Sequence, residues 1–503
     1  MDTIPAVLRR AADQYGEKPA YVDGDRTVSF TGILELVRHT AAGYRQRGFL
    51  PGERAAIWAP NSIDWVVAAL AVSYAGGTLV PLNSRYTGHE AADIVERSGA
   101  TLVIVADGFL GRNQVEELRN ASSLSNVREV IDITALADVA VEPGDIDAVA
   151  TAVTPDDVAD ILFTSGTTGQ PKGAMSAHSQ TVGVAQAWGE LGGVTADDRY
   201  LVVNPFFHSF GYKVGIVTGL TTGATLYPLA TFDVDRTMAL IESARITVLP
   251  GAPAIYQSIL AAPNRADHDL GSLRLAVTGA AVVPVVLIER MRDELAIDTV
   301  VTAFGMTEAV VVTMARHGDP AELVATTCGR AIPGMEVAID AADGEAGELL
   351  VRGEFVMLGY LDDPEATAEA IDGDGWLHTG DIGVLDDQGN LRITDRLKDM
   401  YISGGFNVYP AEVEQALMRM EGITDVAVIG VPDERMGEVG KAYVVGTPTS
   451  EEVVAFARDR LANFKVPRIV EHLDALPRNL GGKVLKNALR GSQAPTSGPG
   501  KKN

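Results

Sequence analysis

Short apolar runs rich in β-branched residues recur along this chain, at 101-TLVIVA-106, 160-DILFT-164, 200-YLVVNP-205, 246-ITVLPG-251 and 274-RLAVTG-279. Longer patterns of helical period, such as 281–297, lie between them. Strands reached again through a helix pair parallel to their neighbours, so the alternation predicts an α/β fold with open, largely parallel sheets. Several runs end in Gly, Asn or Pro, at the strand ends where such sheets place ligands. From about 329 the texture changes to short runs broken by Gly/Asp turns, 347-GELLVRG-353 and 383-GVLDDQGNLRITD-395, which predicts a small antiparallel, barrel-like subdomain. A helix over 410-PAEVEQALMRM-420 and strands at 425-DVAVIGV-431 and 441-KAYVVG-446 predict a further small α+β unit. The expected organisation is a large N-terminal domain over 1–395, of open mixed sheets packed with helices plus the barrel-like subdomain, and a small C-terminal domain over 396–490. The Gly/Ser/Pro-rich stretch 491–503 is expected to be a disordered tail with no assigned role.

A chain of 503 residues exceeds what one hydrophobic core usually supports, and its 46% hydrophobic content is enough for several. Lys and Arg number 41 against 67 Asp and Glu, a formal charge of −26. Such a surface repels phosphate backbones and argues against nucleic acid as a partner, and an anionic ligand must enter a local positive site. Individual lysines therefore become informative. Cys328 is the single cysteine, which excludes an intramolecular disulfide and suits a cytoplasmic location. The N-terminal MDTIPAVLRRAADQYGEKPAY has the pattern of an amphipathic helix and lacks the apolar core of a signal peptide. In 65-WVVAALAVSYAGGTLVPL-82, Gly76, Gly77 and Pro81 divide an uncharged run into a helix and a strand, so no membrane span is expected.

The stretch 164-TSGTTGQPKG-173 follows the buried run 158-VADILF-163 and suits the wrapping of a nucleotide polyphosphate. Gly166, Gly169 and Gly173 let backbone N–H groups approach anionic oxygens, while Thr164, Ser165, Thr167 and Thr168 add hydroxyl donors and Lys172 adds charge. The lysine follows Pro171 and precedes Gly173, which is not the Gly-Lys-Ser/Thr ending of kinases and GTPases. Alone, such a turn is as often an ordinary surface loop.

Six further segments join it in order: 205-PFFHSFG-211, 278-TGAAVVP-284, 303-AFGMTE-308, 376-WLHTGD-381, 394-TDRLKDMYISGGFNVYPAEVE-414 and 477-PRNLGGKVLK-486. Together they resemble the acyl-adenylate-forming superfamily of acyl-CoA synthetases, adenylation domains and luciferases, over nearly the whole chain. Across 326-TTCGR-330 and 358-LGYLDDPEATAEAI-371 the chain is similar to the actinobacterial branch that charges HIP, the methyl-dioxo-octahydroindenyl propanoate left from steroid rings C and D, with CoA. The resemblance implies ATP and CoA as co-substrates and Mg²⁺ as cofactor. It implies two steps: a carboxylate attacks the α-phosphate of ATP and expels pyrophosphate, then a thiol attacks the acyl-AMP. Such chemistry asks the protein to position two anions and neutralise their charge.

By the same resemblance, Glu308 holds Mg²⁺ and Thr307 donates to the α-phosphate, where position alone reads as a helix-capping pair. Phe304 and Gly305 stand with adenine, and Gly279, Ala280 and Ala281 offer backbone edges beside it. Asp381 accepts from the ribose hydroxyls, with Arg396 reaching them; each alone reads as a turn residue and a surface cation. Lys483, between Gly482 and Val484, is the main catalytic lysine, and Lys172 assists. Lys398 is the hinge on which a mobile C-terminal domain turns, presenting Ser403, Gly404 and Gly405 to the pantetheine arm. Lys441 is placed near the CoA-side surface.

His208 takes the position of a gate beside the acyl pocket, with a structural histidine as the competing reading. Met306 is assigned to the same pocket. No acidic residue stands in 205-PFFHSFGYK-213 to pair with a substrate ammonium, so an uncharged acyl group is favoured. Tyr212 and Lys213 are candidates to bind a keto oxygen, the alternative being a helix face with Lys213 toward solvent. The expectation is a carboxylate-CoA ligase acting in cholesterol and steroid catabolism, compatible with a homodimer. Alternatives are medium-chain or other alicyclic acids, a stand-alone enzyme loading a carrier protein, and, from another class, a silent nucleotide-binding protein.

Overall fold

A computed structural model describes residues 2–121, 124–165, 171–279, 285–342, 347–396, 401–408, 410–477, 484 and 486–491. The chain divides into two compact units, Met1–Thr164 with Lys172–Leu397, and Lys398–Asn503 with Ser165–Pro171.

The first unit is α/β and contains three sheets. In a seven-stranded sheet, strands Thr78–Pro81, Arg54–Trp58, Leu102–Val105 and Glu129–Asp132 run parallel. Val158–Ser165 pairs parallel with Thr78–Pro81, Pro171–Ala177 follows beside it, and the two-residue strand Gly359–Tyr360 closes that edge antiparallel. A nine-stranded sheet has a parallel centre, including Arg199–Val202, Val248–Pro250, Leu275–Gly279 and Thr299–Met306, flanked by antiparallel strands at both ends. The third is the antiparallel meander Met335–Asp340, Gly347–Gly353, Leu377–Leu385 and Leu391–Arg396, an open half-barrel.

Helix Ile63–Tyr74 packs against strands of both large sheets, which explains why its sequence lacks a polar face. Ser62 caps it by accepting from the Trp65 amide at 3.0 Å, and Gly76, at φ 78°, releases the chain into the Thr78–Pro81 strand. Eleven of its twelve residues are buried, each large one contributing about 1.5–3 kcal/mol by leaving water. Trp65 is the anchor, with ring centroids of Phe206 at 5.2 Å and Tyr212 at 6.1 Å. The apolar stretch 65–82 is thus a buried helix and strand, and no helix among the described residues is long and apolar enough to cross a membrane.

The second unit is α+β. Two antiparallel hairpins, Tyr401–Ser403 with Phe406–Val408 and Ile423–Asp433 with Gly437–Gly446, join in one sheet, and Ile469–His472 adds parallel to Gly437–Gly446. Ala427, Ile429, Val431, Val439 and Tyr443 form its core with Leu476 and Leu489.

Candidate active site

The strands Val158–Ser165 and Pro171–Ala177 flank the glycine-threonine loop. Thr164 and Lys172 are half-buried, whereas Gly166, Thr167, Thr168 and Gly169 lie outside the described residues, as does the Ser165 side chain. Gly173 is needed for packing: a Cβ there would lie 2.8 Å from Ile161 Cγ2 and 3.1 Å from the Phe163 ring. The Lys172 ammonium stands 5.0 Å over the centroid of the Tyr360 ring, a cation–π arrangement.

Strands Thr299–Met306 and Ala309–Met314 form an antiparallel hairpin in which Met306 faces Ala309, so Thr307 and Glu308 are its two-residue turn. A bulge opposite Gly305, which alone faces Val310, Val311 and Val312, re-aims the hairpin into that turn. Only glycine fits there, because a Cβ would lie 1.9 Å from the Val310 carbonyl oxygen. Glu308 is 8% exposed. Its Oε1 accepts from the Tyr360 hydroxyl at 2.8 Å, and its carbonyl accepts from the Met357 amide at 2.8 Å. Tyr360 therefore joins Lys172 to Glu308, a link that sequence reading missed; the Gly-Tyr pair in 358-LGYLDD-363 was its only local signal.

Oε2 of Glu308 makes no hydrogen bond among the described residues. One carboxylate with a fixed and an open oxygen fits a hard cation that takes its remaining ligands from phosphate and water, as Mg²⁺ does.

Half-buried Phe304 faces Thr313 across the hairpin, and Gly279 faces Ala303 on the other side. Thr313 donates to the Cys328 carbonyl at 2.8 Å. Burial, with a smaller contribution from the Asp381 carboxylate, raises the pKa of the Cys328 thiol to about 11. Phe304 and Gly279 thus stand on adjacent strands of the nine-stranded sheet, and the charge of Asp381 is felt at Cys328, the partner of Thr313. Asp381 is half-buried in strand Leu377–Leu385, where Gly380 adopts φ 70° and donates its amide to Glu348 Oε1 at 3.0 Å. The Asp381 amide donates to Thr379 Oγ1 at 3.1 Å, and Arg396 is its backbone partner across the sheet. Ala280, Ala281, Lys398 and Lys483 lie outside the described residues, as does the Arg396 side chain.

His208 caps the turn Ser209–Gly211 with Nδ1, which accepts from the Phe210 amide at 3.1 Å. The imidazole is open to solvent, and desolvation by the surrounding protein holds its pKa below the usual histidine range. With Nδ1 accepting, the neutral ring carries its proton on Nε2. Met306 is half-buried at the strand end before Thr307.

Two expected acyl-pocket residues are placed differently. Tyr212 is fully buried against Trp65, and Lys213 is buried in an ion pair, its Nζ 3.0 Å from Asp160 Oδ1 and donating to Ser176 Oγ at 2.7 Å. One ammonium donor is engaged by Ser176 and the charge is paired with Asp160 inside the core, so Lys213 neither faces solvent nor presents a free charge to a keto oxygen. In the second unit, Gly404 at φ 59° and Gly405 at φ 84° form the two-residue turn of the Tyr401–Phe406 hairpin, beside buried Ser403. Lys441 is paired with Glu471 at 2.6 Å.

Residues 8–361 match the AMP-binding enzyme family, and 412–483 match the AMP-binding enzyme C-terminal domain. The chain is 57% identical to a 3-[(3aS,4S,7aS)-7a-methyl-1,5-dioxo-octahydro-1H-inden-4-yl]propanoyl:CoA ligase of Rhodococcus jostii, over 97% of this chain and 98% of the relative. It is 54% identical to the ligase of the same name from Mycobacterium tuberculosis, again over 97% and 98%. Among solved structures, o-succinylbenzoate CoA synthetase of Bacillus subtilis bound with a product analogue superposes with TM-score 0.87 at 29% identity, covering 96% of this chain and 98% of that one. The amide bond synthetase of Marinactinospora thermotolerans gives 0.85 at 30%, covering 97% and 99%.

Proposed function

The chain belongs to the AMP-binding enzyme family, and from that premise we propose that it is an AMP-forming acid–thiol ligase that converts HIP, ATP and CoA to the HIP-CoA thioester, AMP and pyrophosphate. The identity of 57% along 97% of the chain to a ligase named for that acid carries the reading. A carboxylate oxygen attacks the α-phosphorus and pyrophosphate leaves; the CoA thiol then attacks the acyl carbon and AMP leaves.

Convergence of Lys172, Tyr360 and Glu308 supports the first step. Glu308 is the residue that would hold Mg²⁺, which supplies charge neutralisation to the phosphates when bound. Thr307, on the same turn, donates to the α-phosphate, and the ammonium groups of Lys172 and Lys483 offset repulsion between the two anions. The 164–169 backbone and hydroxyls cradle the phosphates. Phe304, with Gly305 and the 279–281 backbone, takes the adenine; Asp381 and Arg396 take the ribose. His208 and Met306 border the acyl group, and Ser403, Gly404 and Gly405 border pantetheine. In this reading 1–395 binds ATP and acid, 396–490 is a small mobile domain hinged at Lys398, and the enzyme works in the cytoplasm as a homodimer.

The test is pyrophosphate release with HIP, a medium-chain acid and another alicyclic acid, with and without CoA, comparing wild type with Lys483→Ala. HIP is expected to be the best substrate, and the variant to lose adenylation. A better alicyclic or medium-chain acid would replace the substrate assignment, full adenylation by the variant would remove the role of Lys483, and no release with any acid would end the ligase reading.

A further inference from the structure

The segment bearing His208 and the two strands flanking 166–170 are joined in the interior by one cation. Lys213 lies in the π-helical turn Tyr212–Val217, a rare geometry whose wider turn directs an extra residue inward. Its side chain is 1% exposed and that of Asp160, 3.0 Å away, is 0% exposed. Asp160 belongs to the strand entering the glycine-threonine loop. Ser176, which accepts from the same ammonium at 2.7 Å, belongs to the strand leaving it. Thr181, in the first turns of helix His178–Gly192, completes the arrangement by donating to Asp160 Oδ2 at 2.7 Å.

Taking both charges out of water is expensive, and apolar residues of similar volume would hold such a core as well or better. A directional bond constrains sliding more tightly than an apolar contact does. We infer that Lys213 is a positioning residue: by donating a hydrogen bond to Ser176 on one phosphate-side strand and pairing its charge with Asp160 on the other, it sets where the acyl-side segment 205–211 stands, so that carboxylate and α-phosphate meet in register. The inference rests on the ligase reading, and Lys213 itself touches no substrate.

The decisive variant is Lys213→Met combined with Asp160→Leu, which exchanges the pair for apolar residues without stranding a charge. It is expected to unfold within a few degrees of wild type and to form thioester from a chemically prepared acyl adenylate at the wild-type rate. ATP–pyrophosphate exchange should fall by ~10–100-fold in kcat, as an ångström-scale misplacement does, and equally for HIP and a medium-chain acid. Normal exchange in the folded double variant overturns the inference, as does proportional loss of both half-reactions. A loss confined to HIP does so too, because it would place the ammonium on the acid. Should the double variant not fold, Ser176→Ala, which keeps the ion pair, serves instead: it is expected to lower exchange severalfold while sparing the thioester step, and no change overturns the inference. If wild type makes no adenylate with any acid, the ligase reading fails separately. Hydrogen exchange then decides: protection should drop together at 171–177 and 205–217 in a folded variant of either kind, and unchanged protection in either segment refutes the coupling.

Discussion

Gly305→Ala isolates the backbone geometry that holds the Thr307–Glu308 turn. The added Cβ would lie 1.9 Å from the Val310 carbonyl oxygen and 2.6 Å from its carbon, whereas real Cβ atoms essentially never come within 3.0 Å. Both clashing atoms are backbone, so no rotamer change relieves them. The strands must part by more than an ångström, and the Met306–Ala309 pairing that closes the turn must open. Overpacking of this kind costs about 1–3 kcal/mol, and a clash with a carbonyl belongs at the upper end. Thr307 and Glu308 move with the strand, and misplacement by ~1 Å costs ~10²-fold in rate, about 2.7 kcal/mol of barrier. Pyrophosphate exchange and thermal unfolding, measured together, should show a loss of ~100-fold with a melting point lower by a few degrees. Gly373→Ala is the control, since nothing lies within 4 Å of its Cβ, and its stability should stay within about 0.5 kcal/mol. A Gly305→Ala enzyme with wild-type exchange and melting point would refute the claim that this bulge fixes the turn.

Tyr360→Phe removes the donor to Glu308 Oε1 and keeps the ring beneath Lys172, so urea unfolding should show a loss of about 1.5–3 kcal/mol. Tyr360→Leu should lose about 0.5–1 kcal/mol more through the cation–π contact, and calorimetric titration with ATP should rank affinity in the same order. His178 supplies a pH dependence: burial lowers its pKa to about 4, and Nδ1 accepts from the Ile4 amide at 3.3 Å, which needs the neutral ring. Between about 4 and the unfolded value of about 6.5 the native state binds fewer protons than the unfolded one. Its contribution is therefore full above pH ~6.5 and lost as pH falls toward 4, up to ~3 kcal/mol. His178→Asn keeps an acceptor without titrating in that range, so its urea midpoints at pH 7 and pH 4.5 should differ less than those of wild type.

Much of the fold is written in local patterns. The parallel strands of the first unit announce themselves as β-branched runs, and Gly76, Gly77 and Pro81 mark where an apolar stretch stops being a helix. The half-barrel follows from Gly/Asp turns at short spacing. What sequence reading could not supply comes from pairs distant along the chain. Tyr360 reaches Glu308 across 52 residues, and the Gly-Tyr pair in 358–363 alone hints locally at the meeting. Sequence reading places Lys213 on the substrate or in solvent, and a lysine is almost never buried without a partner. That partner, Asp160, lies 53 residues earlier, in the otherwise apolar run 158–163, and the π-helical turn that brings the lysine inward has no periodicity signal of its own. The family resemblance places Phe304 with adenine and Asp381 with ribose; the hydrogen bond of Thr313 to Cys328, and the charge of Asp381 felt there, emerge only from tertiary structure.

Strand Gly359–Tyr360 is two residues long and sits at a sheet margin, yet its phenol secures the carboxylate at the tip of a hairpin belonging to a different sheet. So brief a pairing frays before the interior does. Warming should therefore silence the enzyme several degrees before the bulk of the protein melts, a gap that a tighter margin at this stitch would narrow.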